Sequence, residues 1–286
     1  MKLIFSRKGF DAKYGGCASP ILEDGSLCSL PIPDPNAPTR FRDIQLKGAS
    51  IAPMVEALTR ARITASDGAH LDPDLRGESI VRAPGWRPIF GQADAAASHL
   101  ANNGVGAGDL FLFFGWFRQT TGAGCAISFV PGAPNLHVIF GWMEVGAVHP
   151  MSDRLIEAMP WARMHPHFVE RERYRNNTVY VASERLDSLG LASAGAGAFD
   201  CIRPELILTQ LEPYLGRSTW RMPACFEPRG RTLLTRHQAG RWSSNGATVQ
   251  LRSVPIGQEF VLDIGEYPDV KSWACNLFTS FTSKQS

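Results

Sequence analysis

GDLFLFFGWFRQTTGAGCAISFVPGAPNLHVIFGWMEV, residues 108–145, decides how the rest of the chain is read. Leu110 to Phe117 is an apolar, aromatic run behind the turn signal Gly106-Ala-Gly-Asp109 and is too short to cross a bilayer, which predicts a buried strand. His137 to Val145 is a second such run behind the breaker Pro131-Gly-Ala-Pro134. Both carry the tripeptide Phe-Gly-Trp, at Phe114-Gly115-Trp116 and Phe140-Gly141-Trp142. Glycine inside a strand marks a bulge or the close approach of another group. Paired strands with room for a neighbouring Trp follow, and Trp116 with Arg118 at a pocket mouth would let a flat ring stack.

Outward from this pair, composition bounds the problem. A chain of 286 residues makes one large or two modest domains. The reading adopted is a single unit over 1–286, with a β-rich first half, 1–150, and a second half, 151–286, packed against it. Apolar residues at 44% and charged ones at 20% describe a soluble globular protein. A net charge of +2 without a Lys/Arg block argues against non-specific duplex binding through counterion release, while leaving room for a local basic pocket. The six Cys residues form no C-x-x-C pair, which disfavours zinc ribbons. MKLIFSRKGFD returns to charge too soon for a signal peptide or anchor, so a reduced, cytoplasmic protein with no membrane association is expected.

In chain order, a short strand from Lys2 to Phe5 opens into the loop Ser6 to Asp11. Arg7 and Lys8 are candidate phosphate contacts, Asp11 is an acid/base candidate, and the glycines that follow let backbone N–H groups approach an anion. A solvated turn is the plainer use of the same residues. Ile21 to Ile32 reads as a β-hairpin, and the prolines of 31–38 enforce an extended segment. Helices are predicted over Ser50 to Arg62 and Gln92 to Asn103. Between them lies Asp67-Gly-Ala-His-Leu-Asp-Pro-Asp74. In an extended chain His70, Asp72 and Asp74 project to one side, a set fit for acid/base chemistry or a divalent metal. The competing reading is an Asp-Pro-Asp turn.

Past Pro150, a short helix ending at Pro160 leads to His165-Pro-His167, whose imidazoles would complete a two-His, one-carboxylate set if they meet Asp72. Asn176 and Asn177 precede a strand over Thr178 to Ala182 and would read a base edge, or form the commoner Asx turn. Gly190 to Gly197 does not fit G-x-G-x-x-G and reads as a flexible loop. A strand over Glu259 to Asp263 and a helix over Gly265 to Phe278 close the chain. No nucleophile elbow, Walker loop or H-E-x-x-H occurs, which disfavours serine hydrolases, P-loop NTPases and zincins.

The segments SRKGFD, AHLDPDL, FGQADAAASHL, GVGAGDLFLFFGWFRQ, PNLHVIFGWMEV, HPHF, NNTVYVA, WRMP and GQEFVLD together resemble the third type of nucleotide-modification-associated domain, over Met1 to about Leu277. That resemblance implies work on nucleotides or nucleic acid in bacterial and phage DNA base modification, without assigning residue roles. A more distant similarity, through Gly-Asp before one strand and Ile139-Phe-Gly-Trp-Met-Glu-Val145 in the other, is to PUA-like base-reading barrels.

These readings converge on an α+β fold, β-rich, with a mixed or barrel-like sheet and a few peripheral helices. The first functional expectation is an enzyme processing a nucleobase or nucleotide. Asp11, His70, Asp72 and Asp74 are its catalytic candidates, and Arg7, Lys8 and Arg118 its phosphate contacts. A divalent metal would be held by His70, Asp72, His165 and His167. The alternative is a non-catalytic reader that stacks a modified base on Trp116 and Trp142, with Asn176 and Asn177 as further base contacts. A third is an assembly subunit whose aromatics are only core.

Overall fold

The computed structural model describes residues 1–244, 246–255 and 257–279. The two aromatic runs form the longest strands of a nine-stranded mixed sheet. In chain order its strands are β1 (Lys2–Arg7), β2 (Ser19–Ile21), β3 (Ile89–Ala93), β4 (Leu110–Thr121), β5 (Ser128–Phe129), β6 (Leu136–Pro150), β7 (Asn177–Ala182), β8 (Ala196–Ala198) and β9 (Glu259–Asp263). The spatial order is β9-β1-β4-β6-β7-β3, with β2 and β5 also on β4 and β8 on β6. β4 runs parallel to β1 and β2, and the remaining pairs are antiparallel.

Five successive residues, Leu110 to Phe114, are fully buried. Because neighbours in a strand point to opposite faces, both faces of the sheet are covered here, which is why the run is apolar rather than alternating. The glycines of the doubled tripeptide serve close approach. A Cβ at Gly115 would lie 2.8 Å from the Lys8 carbonyl, and one at Gly141 would lie 2.6 Å from Leu75. The β4–β6 register slips between Ile139 and Gly141, placing a bulge at the second tripeptide.

The sheet curls without closing. Gln92 of β3 reaches Glu259 of β9 through side chains, but no backbone ladder joins these strands among the described residues. The mixed sheet is therefore the form present, and a barrel is not. Helix α2 (Asp94–Asn102) packs on β3, β7 and β9 and so spans the gap. Helix α1 (Ala52–Thr59) covers a second apolar cluster with Phe10, Phe41 and Ile44. Helices α3 (Asp153–Ala158) and α4 (Pro166–Val169) cover a third with Ile89, Val179 and Val181. The closing helix α5 (Pro268–Thr279) buries Val270 and Leu277, with Trp273 partly covered. No described helix is long and apolar enough to cross a membrane.

Three local expectations change. The hairpin over 21–32 shrinks to one bridge, Ile21 to Leu27, because Ser19–Ile21 is taken up by β4. The helix from Ser50 ends at Thr59, where Arg60 and Ala61 turn left-handed at φ 55° and 57°. Gly190 to Gly197 holds two short strands rather than a loop, Leu191–Ala194 and β8. Its small residues are packing devices: a Cβ at Gly195 would meet Ser183 O at 2.2 Å, and one at Gly197 the Trp142 ring at 2.7 Å.

Candidate active site

One end of the sheet opens into a cleft of about 860 Å³. It is walled by the end of β1, by Gly91 to Asp94, by Trp116 of β4 and His137 of β6, and by loops carrying Asp34, His70, Tyr174, Arg217 and Gln258. His70, Asp72 and His167 meet in it, offering ligand atoms all within 4.8 Å of one another.

Each member is held by an identifiable device. His70 sits in the two-residue strand Ala69–His70, paired with Ile32–Pro33. Gly68 lets that pair close tightly, since a Cβ there would lie 2.0 Å from Asp34 O. The approach puts Asp34 Oδ2 at 3.1 Å from His70 Nδ1. The Asp34 carboxyl is held down at about 2, first by the His70 bond, against the opposing effect of burial. A carboxylate can only accept, so the bond to Asp34 places a proton on His70 Nδ1.

His167 repeats the arrangement. Asn177 donates through Nδ2 to the His167 carbonyl at 2.9 Å, which leaves its Oδ1 to accept from His167 Nδ1 at 2.7 Å. In the neutral ring Nε2 then keeps its lone pair. Burial is the main force pushing the His167 imidazolium down to about 4, so the ring is neutral at pH 7. Gly91 makes this placement possible, because a Cβ there would lie 2.2 Å from His167 Cδ2.

Asp72 accepts from the Gly91 N–H at 2.7 Å. His165 is buried behind it, with Nε2 at 3.2 Å from Asp72 Oδ1 but off hydrogen-bond alignment. Burial pushes the Asp72 carboxyl up. His165, His167 and Lys8 together outweigh it and hold the group below the usual carboxylate range. His165 also accepts the His167 N–H through Nδ1 at 3.4 Å, which places it as a support for the other two residues.

The remaining sequence candidates divide by location. Asp74 leaves the cleft. Successive i to i+2 bonds, Leu71 to Ala69 and Asp72 to His70, break the alternation that would have aligned it with His70 and Asp72. It is instead buried in a bidentate pair with Arg82 at 2.5 and 2.6 Å. Trp142 lies in the core between Phe199 and Phe278, with Nε1 on Ala194 O, so it shares no pocket with Trp116. Asn176 bonds Ser98 outside the cleft, and Asn177 orients His167. Arg118 bonds Val130 O and lines a neighbouring cavity.

Asp11 stands at the cleft rim, where its Oδ1 accepts the Lys13 and Tyr14 N–H groups at 2.7 and 2.6 Å. Arg7 lines the cleft with its guanidinium on the Val254 and Pro255 carbonyls. Lys8 also lines the cleft, with Nζ 3.2 Å from Glu259 Oε1. Trp116 presents its ring with Nε1 fixed to Asn135 Oδ1 at 2.7 Å and the Arg217 guanidinium 4.2 Å from its centre.

Sequence reading missed Asp34, Gly91, Tyr174 and Arg217. Asp34 was legible only as part of a proline-rich extended segment, and Gly91 only as a residue just ahead of the helix expected from Gln92. Tyr174 stacks on the His167 ring at 5.3 Å and 22°.

Fold and cleft together define a β-rich α+β protein built around a cation-rimmed cavity with two imidazoles and a carboxylate inside it. The family model described as nucleotide modification associated domain 3 matches residues 2–263, and the chain belongs to that family. No curated protein and no solved structure gives a significant match. Membership associates the chain with nucleotide modification.

Proposed function

We propose that this protein is a metal-dependent enzyme that processes a nucleobase or nucleotide during DNA base modification, with His70, Asp72 and His167 as the metal ligands. The observation that carries the reading is the convergence of two imidazoles, each fixed through Nδ1, on one carboxylate. Each Nδ1 faces an acceptor, Asp34 or Asn177, His167 Nε2 lies 4.0 Å from Asp72 Oδ2, and one ligand atom from each of His70, Asp72 and His167 lies within 4.8 Å of the other two. Histidine ligands oriented through their second nitrogen are the usual construction of a protein metal site. Two His and one carboxylate suit a divalent transition metal with coordination positions left for substrate or water. Such an ion would polarise a bound oxygen or lower the pKa of a bound water.

The rest of the cleft suits a nucleotide. Arg217, Lys13 and Arg173 bring positive charge to its walls, and Trp116, Tyr14 and Tyr174 bring aromatic surface. Trp142, buried elsewhere, takes no part.

The test is metal content by inductively coupled plasma mass spectrometry on untagged protein, equilibrated with Fe(II), Mn(II) or Zn(II) and desalted. Near-stoichiometric metal is expected in the wild type and loss in Asp72→Asn and His167→Gln. His165→Gln keeps the ligands and retains metal, with weaker affinity. A wild type that holds none of the three ions, or an Asp72→Asn variant that loads normally, overturns the reading.

A further inference from the structure

A second cavity, of about 430 Å³, adjoins the cleft and is not used by the proposed chemistry. Trp116 belongs to the walls of both. Arg60, Arg62 and Arg118 line the second cavity, and among the described residues no carboxylate does. Trp116, Phe129 and Asn135 supply the aromatic and amide surface.

The three arginines are brought there by separate features of the fold. Arg60 is the left-handed residue that ends α1, is exposed, and has no ion-pair partner among the described residues. Arg62 sits against Gly16, where a Cβ would come within 2.9 Å of its Nη1. Its Nε bonds the Thr59 carbonyl at 3.1 Å, which fixes the guanidinium without neutralising it. Arg118 stands over the Phe129 ring at 5.5 Å, and its buried Nε has no partner among the described residues. Three guanidinium groups with no ion-pair partner among the described residues share one concavity, which suits an anion, and arginine's fork suits phosphate oxygens.

Continuity with the cleft indicates which anion. A lone mononucleotide whose base and phosphate occupy the cleft leaves this cavity unused. A strand that passes Trp116 places its next phosphate among the arginines, and alternation of aromatic and cationic surface is the usual construction of single-strand binding grooves. We infer that the second cavity holds the phosphate of a nucleotide flanking the one in the cleft, so that the substrate is a single-stranded polynucleotide rather than a free nucleotide. The inference rests on the cleft being the nucleotide site.

The test compares a deoxynucleoside monophosphate, the matching triphosphate and single-stranded pentamers of DNA and RNA. Affinities are measured by calorimetry across a salt series, for wild type, Asp72→Asn and the double variant Arg60→Gln/Arg62→Gln. Both altered arginines are exposed, and a thermal melt checks the fold. The wild type is expected to bind a pentamer more tightly than the monophosphate. The double variant should lose pentamer affinity and flatten its salt slope by about 0.7 per lost phosphate contact, with monophosphate binding unchanged. The two pentamers tell whether the strand is DNA or RNA.

Equal affinity for pentamer and monophosphate, or no effect of the double variant, overturns the inference. A triphosphate that gains the same arginine-dependent affinity overturns it in favour of a free polyphosphate. Failure of the cleft reading shows separately: the monophosphate does not bind, while the arginine dependence of pentamer binding still decides the second cavity.

Discussion

Gly91 performs two tasks with one missing side chain. Its N–H holds Asp72, and its bare Cα leaves the space that the His167 ring fills. Gly91→Ala is therefore expected to displace His167 and weaken metal binding by at least the 10–100-fold typical of a lost supporting interaction, measured by competition with a chelator. β3 itself should persist, since alanine suits a strand as well as glycine does, and unchanged far-ultraviolet circular dichroism would confirm it. At this scale the sequence named residues that the fold gathers in the cleft, but not their supports. His70, Asp72 and His167 stood out because imidazoles and carboxylates are conspicuous. Gly91 did not, because nothing in a strand sequence shows that a ring from 76 residues later lies across it. Asp74 stood out wrongly, since period-two alternation fails where i to i+2 turns intervene.

Among the elements, the connection between the strands Thr219–Pro223 and Trp242–Ser244 carries a titrating clasp. His237 Nδ1 donates to Thr235 O at 2.9 Å, and its Nε2 accepts the Val254 N–H at 3.3 Å. Burial is the chief cause of its pKa falling from 6.5 to about 4. A His with a depressed folded-state pKa contributes stability that is complete above the unfolded value and is lost as pH falls. Wild type should therefore lose more stability than His237→Gln between pH 6.5 and about 4, read as the urea midpoint against pH. Parallel curves would remove the clasp. Elements were the most legible level. β4 and β6 declared themselves through uninterrupted aromatic runs, and α3 through its apolar spacing before Pro160. The segment 190–197 did not, because glycine and alanine suit both a flexible loop and a strand pressed against Trp142, and only the neighbour distinguishes them.

For the whole molecule, Glu259 links the two edges of the curled sheet to the cleft. It is fully buried and receives Ser6 Oγ at 3.1 Å, Lys8 Nζ at 3.2 Å and Gln92 Nε2. Glu259→Ala strands the buried Lys8 ammonium and should cost about 3–5 kcal/mol of unfolding free energy, measured by urea titration. Glu259→Gln, which keeps the shape and the bonds to Ser6 and Gln92, isolates the charge. The curled sheet was only half legible: strand count and type are local properties, whereas closure depends on whether β3 and β9 meet through backbone or side chains.

The pairing of Lys2–Arg7 with Glu259–Asp263 also governs how the molecule comes into being. A ribosome delivers the first strand more than 250 residues before its neighbour, and the cleft likewise needs Arg7 and Gln258 together. Every shorter nascent chain exposes one side of β1 and has an incomplete pocket. Long-range pairing of this kind slows folding and prolongs the life of an open strand edge. The protein therefore acquires its cleft only after synthesis has passed β9, and chaperone dependence during translation should concentrate on the waiting first strand.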